Sequence, residues 1–162
     1  MRSEPRSRFG WHRSSVTEFQ SLAGRQGRQF SEQCDLVLES EGFTLEGKLL
    51  LGEIGLEIDR VARTRDGRIV WFEYKGSFRG ATPGMLRTDT VKKAIANGAL
   101  LAAIPDHPPY VVLTSHVPER GAARAMLETA LRLSYLTDAI CVNDPIAVRR
   151  LHELDATRPK LL

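Results

Sequence analysis

The chain has 162 residues, of which 42% are hydrophobic and 27% charged, with a net charge of +3. This length fits one domain, and the composition excludes a disordered chain. It contains no run near the roughly 18 apolar residues of a membrane span and no signal-peptide pattern. Its two cysteines, Cys34 and Cys141, are far apart in the sequence. Their spacing favours a reducing, cytoplasmic setting without a disulfide framework.

The first 14 residues are rich in Arg and Ser and predict a flexible basic arm, followed by a single domain over 15–162. The first predicted element is a helix over 28–41, followed by Gly42 as a stop signal. Its apolar side chains recur at the spacing of one helical face and are Phe30, Cys34, Val37 and Leu38.

Three strands are predicted next, over 44–51, 55–64 and 68–75. The second alternates apolar and polar residues, and the third, RIVWFEYK, has the β-branched and aromatic content of a buried strand. The Asp66-Gly67 pair between them is a hairpin signal, so these strands should pair antiparallel. A turn centred on 66–67 would place Asp59 opposite Tyr74.

Helices and strands alternate in the second half of the chain. After a Gly/Pro-rich loop over 76–85, helices are predicted over 87–103, 119–136 and 145–154, with short apolar strands over 110–114 and 139–142. This order predicts an α/β fold with its core over about 28–142. A mixed sheet, made of an antiparallel hairpin and added crossover strands, should be flanked by helices.

Three ionisable residues stand out because they lie in otherwise apolar strands, where an unpaired charge is costly to bury. Glu73 and Lys75 are two residues apart and therefore share one face of their strand. The predicted hairpin brings Asp59 within one residue step of both. From the spacing alone, a cross-strand salt bridge of Lys75 with Asp59 or Glu73 is the simpler interpretation.

A catalytic interpretation also fits these three residues. Neighbouring carboxylates repel each other unless a cation lies between them. Mg²⁺ typically takes one or two carboxylates together with substrate phosphate oxygens. A lysine beside the ion can orient water or stabilise charge on the phosphate, which is the chemistry of phosphodiester hydrolysis.

The charge is distributed unevenly along the chain. Residues 1–29 and 60–93 carry net charges of +4 and +6, whereas residues 30–59 carry −7. An acidic block beside a basic block suits a site that holds a cation and a polyanion together. Solvated faces of surface elements would produce the same pattern.

The order of elements around these residues resembles the PD-(D/E)xK nuclease superfamily, which has the restriction-endonuclease-like fold. The resemblance covers roughly residues 28–142: an acidic helix, GLEID with Asp59, a DG turn, IVWFEYKGS with Glu73 and Lys75, the basic helix RTDTVKKAIANGALL and the strand YVVLTS. Ile58 stands where the family has Pro, and Tyr74 replaces the usual aliphatic residue. Tyr74 should face the other side of the strand and pack on a helix.

The resemblance implies a role for each matching residue. Asp59 and Glu73 would bind Mg²⁺, for which Mn²⁺ can substitute, and the main-chain carbonyl of Tyr74 would complete the site. Lys75 would assist the attacking water. Family members often carry another acidic residue on the first helix, which makes Glu32 a candidate ligand; a solvated helix face is the other interpretation of Glu32.

The sequence therefore predicts a magnesium-dependent DNA endonuclease that acts on double-stranded or branched DNA. A homodimer is one way for such an enzyme to cut both strands. The alternative is a catalytically silent nuclease-fold module that binds DNA or a partner protein. Candidate phosphate contacts are the basic residues near the motif, Arg60, Arg79, Arg87, Lys92 and Lys93.

Overall fold

The structure is a computed structural model that describes residues 13–77 and 83–154. The helices are α1 (Arg13–Ser40), α2 (Thr88–Leu101), α3 (Gly121–Arg132) and the short α4 (Pro145–Val148). The strands are β1 (Thr44–Leu51), β2 (Leu56–Arg63), β3 (Ile69–Lys75), β4 (Tyr110–Thr114) and β5 (Asp138–Cys141). Two 3₁₀ turns, Gly84–Leu86 and Arg149–Leu154, precede α2 and follow α4.

The five strands form one mixed sheet in the order β1-β2-β3-β4-β5. The first three strands are antiparallel neighbours, and β3, β4 and β5 run parallel. This arrangement confirms the predicted α/β class, with a meander extended by crossover strands. The carboxyl ends of the three parallel strands therefore lie along one edge, where the ends of such strands usually present polar groups to ligands.

Helices cover both faces of the sheet. One apolar cluster joins α2 and α3 to the sheet through Val91, Leu101 and Leu127, with Trp71 and Val112 beneath them. The other cluster joins α1 and the 145–154 segment to the opposite face. It includes Phe30, Cys34, Leu38, Phe72, Val111, Ile140 and Leu151. Strand β3 lies in the middle of the sheet and contacts both layers.

Helix α1 begins earlier than the sequence predicts. The prediction started at residue 28 because the apolar stripe starts there, yet the helix runs from Arg13. It therefore includes residues 13 and 14 of the predicted arm, while residues 1–12 lie outside the described part of the chain. Once a helix has formed, each added residue contributes a hydrogen bond, so it can extend past its packed face.

The β2–β3 hairpin has a longer connection than the predicted two-residue turn. The Thr64 N–H donates to the Arg68 carbonyl, which leaves three residues in the loop. Gly67 is left-handed, with φ of +88°, as expected of a type I turn followed by a glycine bulge. The observed pairs Arg60–Phe72 and Val61–Trp71 consequently shift the register by one residue. Asp59 is level with Glu73 rather than with Tyr74.

The C-terminal part also differs in detail from the prediction. The predicted helix over 145–154 is a single α-turn that continues as 3₁₀ helix. Asp144 caps its start by accepting the Ile146 N–H at 2.9 Å. No helix in the described ranges has the length and apolar content needed to cross a membrane.

Candidate metal-binding active site

The carboxyl end of β3 directs successive side chains into different layers. Trp71 packs in the cluster with α2, and Phe72 in the cluster with α1. Strand alternation places Glu73 on the α2 side and Tyr74 on the α1 side. Their partners agree, because Glu73 accepts a hydrogen bond from Asn97 of α2, and Tyr74 donates one to Asp35 of α1. The expectation that Tyr74 faces a helix is confirmed.

Asp59 occupies a β-bulge in β2. Between the pairs Gly47–Val61 and Leu49–Ile58, β2 advances by three residues and β1 by two. The extra residue interrupts the ladder and redirects nearby side chains, as bulges commonly do beside functional sites. The β2–β3 pairing does not include Asp59, because its last pair at this end of the hairpin is Arg60–Phe72. Beyond that point the Asp59 carboxylate accepts the Tyr74 N–H at 2.8 Å and links the two strands.

Glu73 is a buried carboxylate with one occupied and one open oxygen. Its Oε1 atom accepts from Lys75 Nζ and, at 3.1 Å, from Asn97 Nδ2. Its Oε2 atom is buried without a hydrogen-bond partner among the described residues. Burial raises the pKa of Glu73 above its usual range and the charge of Asp59 adds to this, while Lys75 acts in the opposite direction. A cation at Oε2 would stabilise the ionised form.

Tyr110 of β4 lies beside this carboxylate. The residue is fully buried, and its hydroxyl faces Glu73 and Asn97 without forming a hydrogen bond of ordinary geometry with either. Burial, together with the charge of Glu73, raises its pKa. The site thus contains two neighbouring buried polar atoms, Glu73 Oε2 and the Tyr110 hydroxyl oxygen, that form no hydrogen bond of ordinary geometry. Such groups are uncommon in folded proteins and call for an explanation.

The available donors fit a hard divalent cation. Asp59 and Glu73 supply carboxylate oxygens. The Tyr74 N–H points towards β2, and in a strand the carbonyl of the same residue points the same way. The described residues contain no cluster of three or more His, Cys, Asp or Glu side chains suited to a metal. This donor set fits Mg²⁺, which takes few protein ligands and keeps several waters or phosphate oxygens.

The structure does not bring Glu32 to this site. Phe30 and Cys34 face the sheet, and at 100° per residue Glu32 lies on the opposite side of α1, where it is exposed. The acidic residue of α1 that does reach the hairpin is Asp35. It follows the buried Cys34 directly, which is the sequence signal that could have identified it.

Asn97 is a further residue that the sequence prediction missed. It is half-buried on α2 and lies between the buried residues Ala94 and Gly98. Gly98 allows the helix to pack closely, because a Cβ there would overlap the Tyr135 carbonyl. An amide on the packed side of a helix was the available signal, since buried amides need a hydrogen-bond partner.

The predicted phosphate contacts divide into three groups. Arg60 lies on the α1 side, where its guanidinium pairs with Asp35 at 2.6 and 2.9 Å. Arg79 lies outside the described residues. The remaining residues are exposed around the first turns of α2, where they line a surface pocket of about 350 Å³ with Asp89 and Thr90: they are Arg87, Lys92 and Lys93.

A second basic region lies at the same edge of the sheet. His116 follows β4, Arg120 precedes α3 and Arg124 lies in its first turn; all three line a cavity of about 580 Å³. The Met85 N–H donates to the His116 carbonyl, so the segment before α2 borders this cavity. Thr114 of β4 in turn donates to the Lys75 carbonyl at 2.6 Å. Glu119 and Asp144 also line this cavity, so its charge is mixed.

Comparison of the chain with family models, with curated proteins and with solved structures gives no match. The assignment of a function therefore depends on the chemistry of the site.

Proposed function

We propose that the protein is a DNA endonuclease of the restriction-endonuclease-like type, which hydrolyses phosphodiester bonds with Mg²⁺ as cofactor. The observation that carries the proposal is the state of Glu73, a buried carboxylate with one open oxygen beside a second carboxylate, Asp59. Burying this charge costs free energy, and a cation at the open oxygen would offset the cost. A salt bridge to Lys75 accounts for Oε1 alone.

Each residue of the set has a distinct task in this proposal. Asp59, Glu73 and the Tyr74 carbonyl would hold the ion. When bound, the ion would neutralise phosphate charge and lower the pKa of a coordinated water. Lys75, 21% exposed at the rim of the site, can exchange its bond to Glu73 for one to water or to a phosphate oxygen. Asn97 would keep Glu73 oriented during that exchange.

The surrounding charge supports a nucleic acid substrate. The α2 surface presents Arg87, Lys92 and Lys93, and Arg120 lies beside the cavity at the end of β4. Within the described chain none of these four forms an ion pair with an acidic residue, so each is available to a phosphate. Binding through several phosphates releases counterions and gives an affinity that falls with salt. Double-stranded or branched DNA is the substrate class that we propose.

The test is cleavage of supercoiled plasmid and of branched DNA in Mg²⁺, Mn²⁺ or EDTA. Lys75→Ala should reduce metal-dependent cleavage by about 10²–10⁴-fold, the range for loss of a proton-transfer group. Arg132→Ala removes one positive charge from the exposed C-terminal end of α3 and serves as the matched control. Nicked plasmid as the first product would indicate that one active site cuts one strand per binding event. Direct conversion to linear plasmid would indicate a dimer that cuts both strands.

Two results would contradict this assignment. If Lys75→Ala cuts as fast as the wild type, Lys75 does not have the proposed role. If no DNA is cut in any metal, but DNA binding persists in EDTA and weakens with salt, the protein is the catalytically silent binding module.

A further inference from the structure

Asp35 is the common partner of both strands of the active-site hairpin. Its carboxylate accepts hydrogen bonds from Arg60 Nε at 2.9 Å and from Arg60 Nη2 at 2.6 Å. This bidentate, two-pronged geometry is typical of a strong ion pair. Its Oδ1 atom also accepts from the Tyr74 hydroxyl at 2.6 Å. Asp35 and Arg60 are 23% and 22% exposed, so the pair is largely shielded from water.

The two groups that Asp35 holds are chain neighbours of the candidate ligands. Arg60 follows Asp59 in the bulge of β2, and Tyr74 follows Glu73 in β3. A displacement of either backbone would therefore move a carboxylate of the site. Tyr74 is linked twice, through its hydroxyl to Asp35 and through its N–H to Asp59.

These contacts lie beyond the end of the β2–β3 ladder. The β2–β3 ladder ends at the pair Arg60–Phe72, so at the level of Asp59 the main chains are no longer paired. From the far side of the sheet, α1 bridges this opening through Asp35. The helix is itself fixed there, because Gly76 packs directly against the Phe30 ring and any Cβ at residue 76 would overlap it.

We propose that Asp35 is a positioning residue, which sets the separation of the Asp59 and Glu73 carboxylates by holding Arg60 and Tyr74 from the opposite face of the sheet. This inference rests on the proposed function. Removing a contact that orients a metal ligand without touching the ion typically lowers metal affinity by 10–100-fold. Asp35 would act on the ion through the backbone and would not touch it.

The experiment is a titration of the full chain with Mn²⁺ alone, followed by electron paramagnetic resonance and accompanied by thermal melts. Asp35→Ala should weaken Mn²⁺ binding by about 10–100-fold. Tyr74→Phe removes one bond and should weaken it less. Asp138→Ala is the matched control, because Asp138 makes a similar two-pronged pair with Arg150, on β5 and the segment after α4. It should lower the melting temperature without changing Mn²⁺ affinity.

A charge-balanced double variant separates positioning from simple electrostatics. Asp35→Ala leaves the positive charge of Arg60 without its partner, which could by itself repel a cation. Asp35→Asn combined with Arg60→Gln removes both charges and also the two-pronged pair. Weak Mn²⁺ binding in this variant supports positioning, and wild-type affinity in it would overturn the inference.

The remaining outcomes are also decisive. Wild-type Mn²⁺ affinity in folded Asp35→Ala would overturn the positioning role and leave the proposed function intact. If Asp35→Ala does not fold, Tyr74→Phe and the double variant answer the same question. Absence of Mn²⁺ binding by the wild type, up to millimolar concentrations, would overturn the proposed function and this inference with it.

Discussion

The two faces of β3 use neighbouring residues in opposite ways. On the α1 side, the Tyr74 hydroxyl, Asp35 and Arg60 satisfy one another in a closed network. On the α2 side, Glu73 and Tyr110 face each other with buried polar atoms that form no hydrogen bond of ordinary geometry. Unsatisfied buried groups cost stability, and proteins tend to retain them where they serve a function. Under the proposed function, the α1 side would provide rigidity and the α2 side would bind the ion.

The largest expected effect comes from comparing adjacent substitutions on these two faces. Glu73→Gln should lower metal-dependent cleavage by about 10²–10⁴-fold, because a neutral amide is a poor ligand for Mg²⁺ and cannot balance Lys75. Tyr74→Phe should cost about fivefold, corresponding to about 1 kcal/mol for one hydrogen bond. Cleavage rates under single-turnover conditions measure both, and equal losses would remove the distinction between the faces.

Added metal should stabilise the folded protein through the proposed site on the α2 side. At 100 times its dissociation constant, Mg²⁺ should raise the free energy of unfolding by about 2.7 kcal/mol. Asp59→Asn should abolish this gain, since it removes one of the two carboxylates. Thermal melts with and without Mg²⁺ provide the measurement, with Asp138→Ala as a destabilised control that keeps the gain. A gain retained in Asp59→Asn would place the ion elsewhere.

The raised pKa of Glu73 should make stability depend on pH in the metal-free protein. The folded state holds this proton more tightly than the unfolded chain does. Stability is therefore lost as the pH rises from the ordinary value of 4.5 through the raised pKa of Glu73. Metal affinity should rise over the same window, because the ion needs the ionised carboxylate. Denaturant titrations across this range should show a slope that Glu73→Gln removes.

The smallest effects are expected from exposed basic residues, compared between the α2 layer and the layer on the α1 side. Lys92→Ala and Lys93→Ala should each reduce the salt dependence of DNA affinity by about one phosphate contact. Arg149→Ala is the control, because Arg149 is exposed at the end of α4, in the layer on the α1 side. DNA affinity measured over a salt series gives the slopes, and an equal change in Arg149→Ala would indicate nonspecific attraction.

Much of the fold could be predicted from local patterns. The apolar stripe of α1, the alternation in β2 and the aromatic run of β3 each reflect burial on one or both sides, which a sequence records directly. The one-residue register error at Asp59 has a local cause. An Asp-Gly pair suits both a two-residue turn and a three-residue turn with a glycine bulge, and only the Thr64–Arg68 bond distinguishes them.

The candidate site was predictable in part, for a similar reason. Asp59, Glu73 and Lys75 stood out because charges are expensive inside apolar strands. Asp35 and Asn97 did not, because a polar residue on a helix is ordinary until the strand that it faces is known. The ion pair of Arg60 with Asp35 could not be predicted either, since strand alternation predicts a face but not the partner of a side chain.

The sequence by itself determined most of the elements, their order along the chain and the three residues whose charges require a partner. These follow from periodicity and from the cost of burying charge, which act over a few neighbouring residues. Only the tertiary structure decided the bulge at Asp59, the bridge from Asp35 to Arg60 and Tyr74, and the open oxygen of Glu73. Each depends on how close elements distant in sequence come to one another, a distance set by the packing of both helical layers on the sheet.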